Sequence, residues 1–520
     1  MADPWNQSAS EPAVHEPSDA YAVELDEVPV TPDRVQRFHH DRWYAKPFIV
    51  IGLVTALAGG LRFYHLSFPH AYVFDEVYYA KDGCYDAGFP YQQCHLDNPG
   101  EQTATVHPPL GRWIIAGSEA AFGNRSFGWR FGSAVAGTLS VLFLSILAYL
   151  LFDSVLWAGV AGLLLATESL NFVQSRISML DIYLTAFVVL GFLCLVLDRR
   201  WIDRRTPTEP TEEDRESQEL LGMPPDRPPS PVFRPWRIAA GLAFGAAAST
   251  KWSGWTALAG GILLAFVWEC SRRRWIGLPN PVREALRDEG FGVFVFLVLL
   301  PAAVYLASYL RFWVDNGVDV QALSGWWSNQ RGMANYSLHL KATHPYASHA
   351  WSWLLLKRPV AYYYQCVKTG TGSAGCAKPA EILGIGNPLI FWGSVFTVPY
   401  ALWAWLRKHD WRAGLIVVAF SFQYFPWFAA SRTSFLFYMA PITPFMVLAM
   451  TYATRDLAQA RIGEDRVRSL APVSVFIVVA CVGVFAFFWP VLVGQTISYR
   501  GWLDRMWFSV CSPKATWCWI

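Results

Sequence analysis

FGWRFGSAVAGTLSVLFLSILAYLL, residues 127–151, carries a single charge, Arg130, and that charge stands near its start. A helix needs about 20 apolar residues to cross roughly 30 Å of hydrocarbon. Backbone groups inside a bilayer must be satisfied within the segment, so a run of this kind reads as a membrane helix. Similar runs recur in both directions: 47–67, 155–174, 179–197, 291–310, 385–406, 412–430, 434–453 and 470–494. The stretch 237–270 is too long for one crossing and contains Lys251, so it reads as two short helices turning near Ser249–Ser253. About eleven spans result, and the expected fold class is an all-α polytopic membrane protein.

Composition agrees. Of 520 residues, 53% are hydrophobic and only 16% charged, against about 25% charged in an average protein. That is too little charge for the polar skin of a soluble enzyme, and it excludes a disordered chain or a small disulfide scaffold. The net charge of +2 argues neither for nor against nucleic acid; no such partner is expected. Residues 1–46 are polar, acidic and rich in Pro and Ser, and read as a disordered cytoplasmic tail. The first apolar run begins only near Pro47, so no signal peptide is expected. The transmembrane domain is placed at 47–510. Within it lie a first outer loop (68–126), a cytoplasmic loop (198–236) and a long outer loop (311–384). An outer tail follows at 511–520.

Positive charge sets the orientation. Arg199, Arg200, Arg204, Arg205, Arg234 and Arg237 flank one loop, and Arg272, Arg273 and Arg274 sit in the next. Arg407, Lys408 and Arg412 mark a third, and Arg455, Arg461, Arg466 and Arg468 a fourth. A cytoplasmic N-terminus with eleven spans puts all four inside. The cysteines give an independent signal. Cys84/Cys94, Cys366/Cys376 and Cys511/Cys518 are local pairs, all in segments placed outside, where disulfides form. Zinc is the weaker alternative, because no His sits at ligand spacing in a Cys-rich cluster. Cys194, Cys270 and Cys481 lie in or at apolar spans and read as packing residues.

Ionisable groups within membrane depth are costly and usually functional, and five places stand out. In Phe74-Asp75-Glu76-Val77-Tyr78-Tyr79, two carboxylates follow the first span among aromatics. Partial desolvation raises a carboxylate pKa, which suits a general base acting on a hydroxyl. An acidic pair on a wet loop is the plain alternative. Adjacent side chains point in different directions, so unequal roles are expected. In His107-Pro108-Pro109-Leu110-Gly111-Arg112, the prolines open an amphipathic interfacial segment, Trp113–Phe122. His107 is a candidate to orient a carboxylate or bind phosphate, against an incidental His in a rigid turn. Arg130 is a candidate phosphate clamp or a snorkelling Arg. Arg176 and Asp181 flank the turn after the third span and are expected to pair with each other. Lys251, between two short helices, is a candidate anchor for an anionic lipid headgroup, and Arg432 is a weaker one. There is no P-loop and no dinucleotide fingerprint, so an ATP-driven pump is not expected.

An Asp-Glu pair after the first span, His-Pro-Pro-Leu-Gly in the same loop and an Arg opening the next span together resemble the protein O-mannosyltransferases. These use polyprenyl-phosphate mannose and belong to the GT-C glycosyltransferase superfamily. The bacterial, actinobacterial-type members are most similar. Ser175-Arg176 through Leu180-Asp181, Ser249-Thr250-Lys251-Trp252 and Phe435 to Pro441 fit the same pattern. The resemblance implies a GT-C bundle whose outer-face loops carry the site. It implies Asp75 as catalytic base, Glu76 as its positioning partner, and Arg130 and Lys251 as holders of the lipid phosphate. His107, Arg176, Asp181 and Arg432 rank below them as substrate-binding candidates. Eukaryotic members carry a soluble MIR insertion in the long outer loop, for which 311–384 is too short, so acceptor selection would fall elsewhere, to a partner or the secretion channel.

The expected enzyme is an inverting mannosyltransferase of the bacterial plasma membrane. It would move mannose from polyprenyl-phosphate mannose to Ser/Thr hydroxyls of exported polypeptides, with no metal or other cofactor. The alternatives are a GT-C transferase acting on a lipid or cell-wall acceptor and, from another class, a secondary transporter. A transporter would place its ionisable groups at mid-membrane and often shows internal repeats.

Overall fold

The computed structural model describes residues 46–98, 106–206, 220, 228–367, 376–462, 468–508 and 517–519. The expected tail up to residue 45, most of the 198–236 loop, Arg466 and Cys511 lie outside them.

The chain enters through α1 (Pro47–Phe63), with Pro at the first turn, where its missing N–H costs nothing. Two helices follow in the first long connection, α2 (Glu76–Asp86) and α3 (Leu110–Phe122). The second of these starts at Leu110, three residues before the amphipathic segment expected from sequence. The run of residues 127–151 falls inside α4 (Ser126–Phe152), about 40 Å of helix at 1.5 Å per residue. The expected span 155–174 is two helices, α5 (Val155–Ala166) and α6 (Ser169–Gln174). The break is made by Glu168, whose carboxylate accepts the backbone N–H groups of Leu170, Asn171 and Asn387. Buried Arg62 reaches across from α1 to Asn171 (2.6 Å) and Ser175. Polar side chains satisfy the backbone groups that the interruption frees.

Then come α7 (Leu180–Asp203), α8 (Pro235–Thr250), α9 (Gly254–Trp275) and α10 (Pro281–Ala307). The last contains a π-helical segment, Val295–Leu299, just before Pro301. Pro301 cannot donate and its ring would press on the carbonyl four residues back, which the wider turn relieves. α8 closes on this segment through Gly241 and Gly245. A Cβ on Gly241 would lie 2.0 Å from the Phe296 carbonyl oxygen, so the close approach requires glycine.

The segment 311–384, expected as a loop, is largely structured. It contains α11 (Leu310–Asn316), α12 (Val320–His339) and an antiparallel hairpin of β1 (Val360–Val367) and β2 (Lys378–Gly384). A bulge between Ala361 and Tyr363 turns Tyr362 inward. The final long helices are α13 (Pro388–Lys408), α14 (Trp411–Tyr424), α15 (Thr443–Gln459) and α16 (Ala471–Leu492). The expected span 434–453 therefore starts too early. Leu436–Met439 is a 3₁₀ turn, and the helix begins only at Thr443.

Six of these helices are long and apolar enough to cross a membrane by length and composition, and α1 and α5 are shorter apolar helices. One end of the bundle gathers α2, α3, the α6–α7, α8–α9 and α14–α15 connections and residues 308–387. Cys84–Cys94 and Cys366–Cys376 are disulfides at this end, and Cys194, Cys270 and Cys481 are free. The third expected pair, Cys511/Cys518, is not among the bridges described, because Cys511 lies outside the described residues. Cys518 itself is buried and disulfide-bonded. Its backbone N–H donates to the Lys357 carbonyl (3.0 Å), and its own carbonyl accepts Arg358 Nη1 (3.1 Å). These contacts tie the C-terminal segment to the disulfide-bearing end.

The opposite end is held by a buried ionic network. Arg234 pairs with Asp198 (2.6 Å), Glu269 (2.8 Å) and Glu289 (3.1 Å), and Arg237 with Glu289 (2.7 Å). Glu269 also holds Arg272 and Arg273 at 2.7 and 2.9 Å. Breaking such a buried set from one side strands charge and costs about 3–5 kcal/mol. Glu269→Ala is therefore expected to lower the unfolding midpoint in detergent sharply. An unchanged midpoint would show that the four arginines do not need it.

Candidate active site

Asp75 ends a turn in which Phe74 adopts a left-handed conformation (φ 49°), uncommon for an aromatic residue. The turn is held by packing. The Phe74 ring meets Tyr362, Phe437, His344 and Phe435 edge-on at 5.2–6.1 Å. Tyr362 is in turn fixed by a hydrogen bond from Gln174 and by the absence of a side chain on Gly384. The bulge in β1 thus helps to hold the turn that displays Asp75.

The two neighbouring acids have opposite fates. Glu76 is fully buried. Its oxygens accept Val73 N–H (2.9 Å), Ser178 N–H (2.8 Å), Arg130 Nε (2.7 Å) and Arg130 Nη2 (2.8 Å). It joins α2 to α4 and to the turn before α7. Asp75 is partly exposed, and among the described residues its carboxylate has no hydrogen-bond or ion-pair partner. Burial pushes it up to about 6. Lys251 and Arg432 oppose that shift, and Asp181 adds to it.

The remaining Arg130 N–H groups go to the carbonyls of Leu66, Pro69 and Ala71, so all five guanidinium donors are used inside the protein. Arg176 is likewise occupied. It donates to the carbonyls of Leu61, Arg62, Tyr64 and His65, which closes the C-terminus of α1. It does not pair with Asp181, which instead holds Lys251 Nζ at 2.8 Å. Lys251 lies 4.3 Å from the centre of the Tyr438 ring. An ammonium has three donors, and Asp181 takes one.

Arg432 ranks above its sequence expectation. It is partly buried over the rings of Tyr336 and Tyr438, and its one hydrogen bond among the described residues is from Nε to the Thr433 carbonyl. No carboxylate neutralises it there. Lys251 and Arg432 both line a cleft of about 730 Å³ whose apolar walls include Trp252, Leu338, Pro426 and Trp427. His107 lines the same cleft beside Tyr79. Burial, then Lys251, Arg432 and Arg112, hold its ring well below the usual imidazole range. A neutral imidazole can orient a group but is not a phosphate counter-ion.

Three further residues join these in the structure. Tyr438 sits under both cations. Arg112 pairs with buried Asp82 at 3.2 Å. Glu119 is buried with neither oxygen hydrogen-bonded among the described residues; burial and Glu76 push it up to about 9, so it is protonated at neutral pH. Arg112 is legible in sequence, because it ends the His-Pro-Pro-Leu-Gly-Arg motif. The other two carry no local signal.

Residues 102–209 match the family described as dolichyl-phosphate-mannose-protein mannosyltransferase, and residues 322–511 the C-terminal four-transmembrane region of protein-O-mannosyltransferase. A polyprenol-phosphate-mannose–protein mannosyltransferase of Mycolicibacterium smegmatis is 31% identical over 89% of this chain and 92% of its own length. The chain belongs to the protein O-mannosyltransferase family. The Mycobacterium tuberculosis relative of the same name is 33% identical, covering 88% of this chain and 91% of its own. The yeast protein O-mannosyltransferase Pmt1–Pmt2 complex bound to the sugar donor has the same fold, with a TM-score of 0.66. The match is 13% identical and covers 91% of this chain and 94% of that one. The bundle is therefore a multi-pass membrane fold of GT-C type. Among candidates for the family's chemistry, His107, Arg130, Arg176 and Asp181 fall within the first matched region and Arg432 within the second.

Proposed function

We propose that this O-mannosyltransferase moves mannose from polyprenyl-phosphate mannose to Ser/Thr hydroxyls of exported polypeptides. The observation that carries the proposal is a carboxylate unpaired among the described residues, Asp75, within electrostatic reach of two cations that line an apolar cleft. The isoprenoid chain lies along the Trp252–Trp427 wall, and its phosphate meets Lys251 and Arg432. Asp75 takes the hydroxyl proton. The acceptor oxygen forms a bond to the anomeric carbon as the bond from that carbon to the phosphate oxygen breaks. One displacement inverts configuration and needs a single base, whereas a retaining route needs a nucleophilic carboxylate as well. Charge gathering on the departing phosphate is met by Lys251 and Arg432, so this chemistry requires no cofactor. The arginine-rich end faces the cytoplasm of a bacterial plasma membrane, and the end with the disulfides faces outward, as positive charge and cysteine placement both favour.

The direct test is transfer of radiolabelled mannose from a synthetic polyprenyl-phosphate donor to a Ser/Thr-rich peptide by the purified protein. Labelled peptide with inverted anomeric configuration is expected. Label confined to lipid would move the assignment to a lipid-glycosylating relative.

Two further outcomes follow from the site. Transfer requires ionised Asp75, so kcat/KM should fall as pH drops through about 6. Arg432→Gln removes a charge-assisted contact and should raise donor KM or lower kcat by about 10–100-fold. It should also move that acid limb to higher pH, because Arg432 lowers the Asp75 pKa. A purely structural Arg432 would leave the limb in place.

A further inference from the structure

A second cleft, of about 670 Å³, opens between α2–α3 and α11–α12. Its character differs from that of the first. Its walls carry Arg112, Arg311, Asp86, Asp315, Asn316 and Asn329, two charges of each sign and two amides. Arg311 lies 4.0 Å from Asp86 and 3.7 Å from Asp315, so its charge is largely compensated. Arg112 is 6% exposed, and its Nε has no hydrogen-bond partner among the described residues. The mouth is wet, since Arg311, Asp315, Asn316 and Asn329 are all exposed. Pro109, Trp113, Tyr309 and Phe312 also line the cleft, so polar and apolar groups share the lining about equally, unlike the largely apolar first cleft. Side-chain amides and a balanced set of ions match the alternating N–H and C=O groups of an extended backbone, and the rings beside them can take its side chains.

The two clefts meet. His107 lines both. So does α12, which presents Asn329 to the polar cleft and Ser337 and Leu338 to the apolar one, about 12 Å further along the helix. The helix is held by Tyr305, which donates to Gln330 (2.6 Å) and accepts from Trp252 (3.0 Å). Trp252 adjoins Lys251 in sequence, so the wall of the polar cleft is coupled to the cationic end of the other. A chain in the polar cleft would reach the proposed donor at His107, beside Tyr79 and the turn bearing Asp75.

We infer that this polar cleft between α2–α3 and α11–α12 binds the acceptor as an extended, uncharged polypeptide segment. The inference rests on the mannosyl-transfer reading above and adds where the acceptor lies and what recognises it. It assigns acceptor selection to this chain's own α11–α12 segment.

The test uses the full-length protein in nanodiscs with a neutral Ser/Thr-containing peptide that carries a benzophenone beside its hydroxyl residue. Crosslinking is expected on α11 or α12. Asn329→Trp, a change at an exposed position that narrows the cleft, should abolish that crosslink and raise acceptor KM at least tenfold, with donor KM moving less than twofold. Arg311→Ala removes a positive charge beside Asp86 and Asp315 and should shift selectivity, so that a basic peptide gains relative to the neutral one and an acidic one does not. An Asn329→Trp enzyme with unchanged acceptor KM, crosslinks outside this cleft, or a donor KM that rises instead would each overturn the assignment; the last would give the cleft to the lipid. If wild-type protein crosslinks the peptide here yet transfers no mannose to it, the cleft assignment stands and the transfer reading fails.

Discussion

Asp75→Asn is expected to lower mannosyl transfer by about 10²–10⁴-fold, the usual effect of removing a general base. The residual rate should lose its acid limb near pH 6. The substitution keeps the shape of the side chain and removes only its ability to take a proton. No hydrogen bond or ion pair is broken, because the Asp75 carboxylate makes none among the described residues. Membrane insertion, thermal midpoint and donor binding should therefore match the wild type. Labelling of peptide at near wild-type rate by the Asn variant would falsify the role of Asp75 as base. A collapsed midpoint would point instead to a structural role that the geometry does not show.

Glu76→Ala should behave in the opposite way. Its loss leaves the Arg130 guanidinium fully buried without its bidentate partner. It also frees the Val73 and Ser178 N–H groups. A buried pair broken from one side costs about 3–5 kcal/mol, so the variant is expected to lose expression and thermal stability along with activity. The same outcome is expected for Arg130→Ala, and the double variant should be less damaging than the two singles combined. Glu76→Gln keeps the shape and part of the hydrogen bonding, and should recover stability ahead of activity, because Glu76 sets the angle at which α2 presents Asp75. A stable, correctly inserted Glu76→Ala protein that fails only in chemistry would make Glu76 a direct participant.

Much of this architecture is legible in the amino-acid sequence. Apolar runs locate the bundle because a span announces itself in about 20 consecutive residues. The break at Lys251 and the pairs Cys84/Cys94 and Cys366/Cys376 are visible for the same local reason. The Asp-Glu and His-Pro-Pro-Leu-Gly motifs lie at the end of the bundle that carries those disulfides. Sequence reading fails where side chains act at a distance. The split at Glu168 is hidden inside an apolar run, because one capping carboxylate serves N–H groups from two segments. The start of α15 is misplaced because Phe435–Met439 is as apolar as a helix while packing as a 3₁₀ turn around Tyr438.

The cations show the boundary most clearly. Arg130, Lys251 and Arg432 look alike in sequence, each an isolated positive charge beside an apolar run. Arg130 is consumed by Glu76 and three carbonyls, Lys251 is shared with Asp181, and Arg432 has no carboxylate partner among the described residues. Hydropathy and charge are properties of each segment taken alone, and hydropathy suffices to choose a membrane bundle. Whether a charge is spent or available depends on partners 54 and 70 residues away. Only packing brings those groups within hydrogen-bond distance, and the steep cost of an unpaired buried ion then decides which charges pair off and which stay open to a ligand.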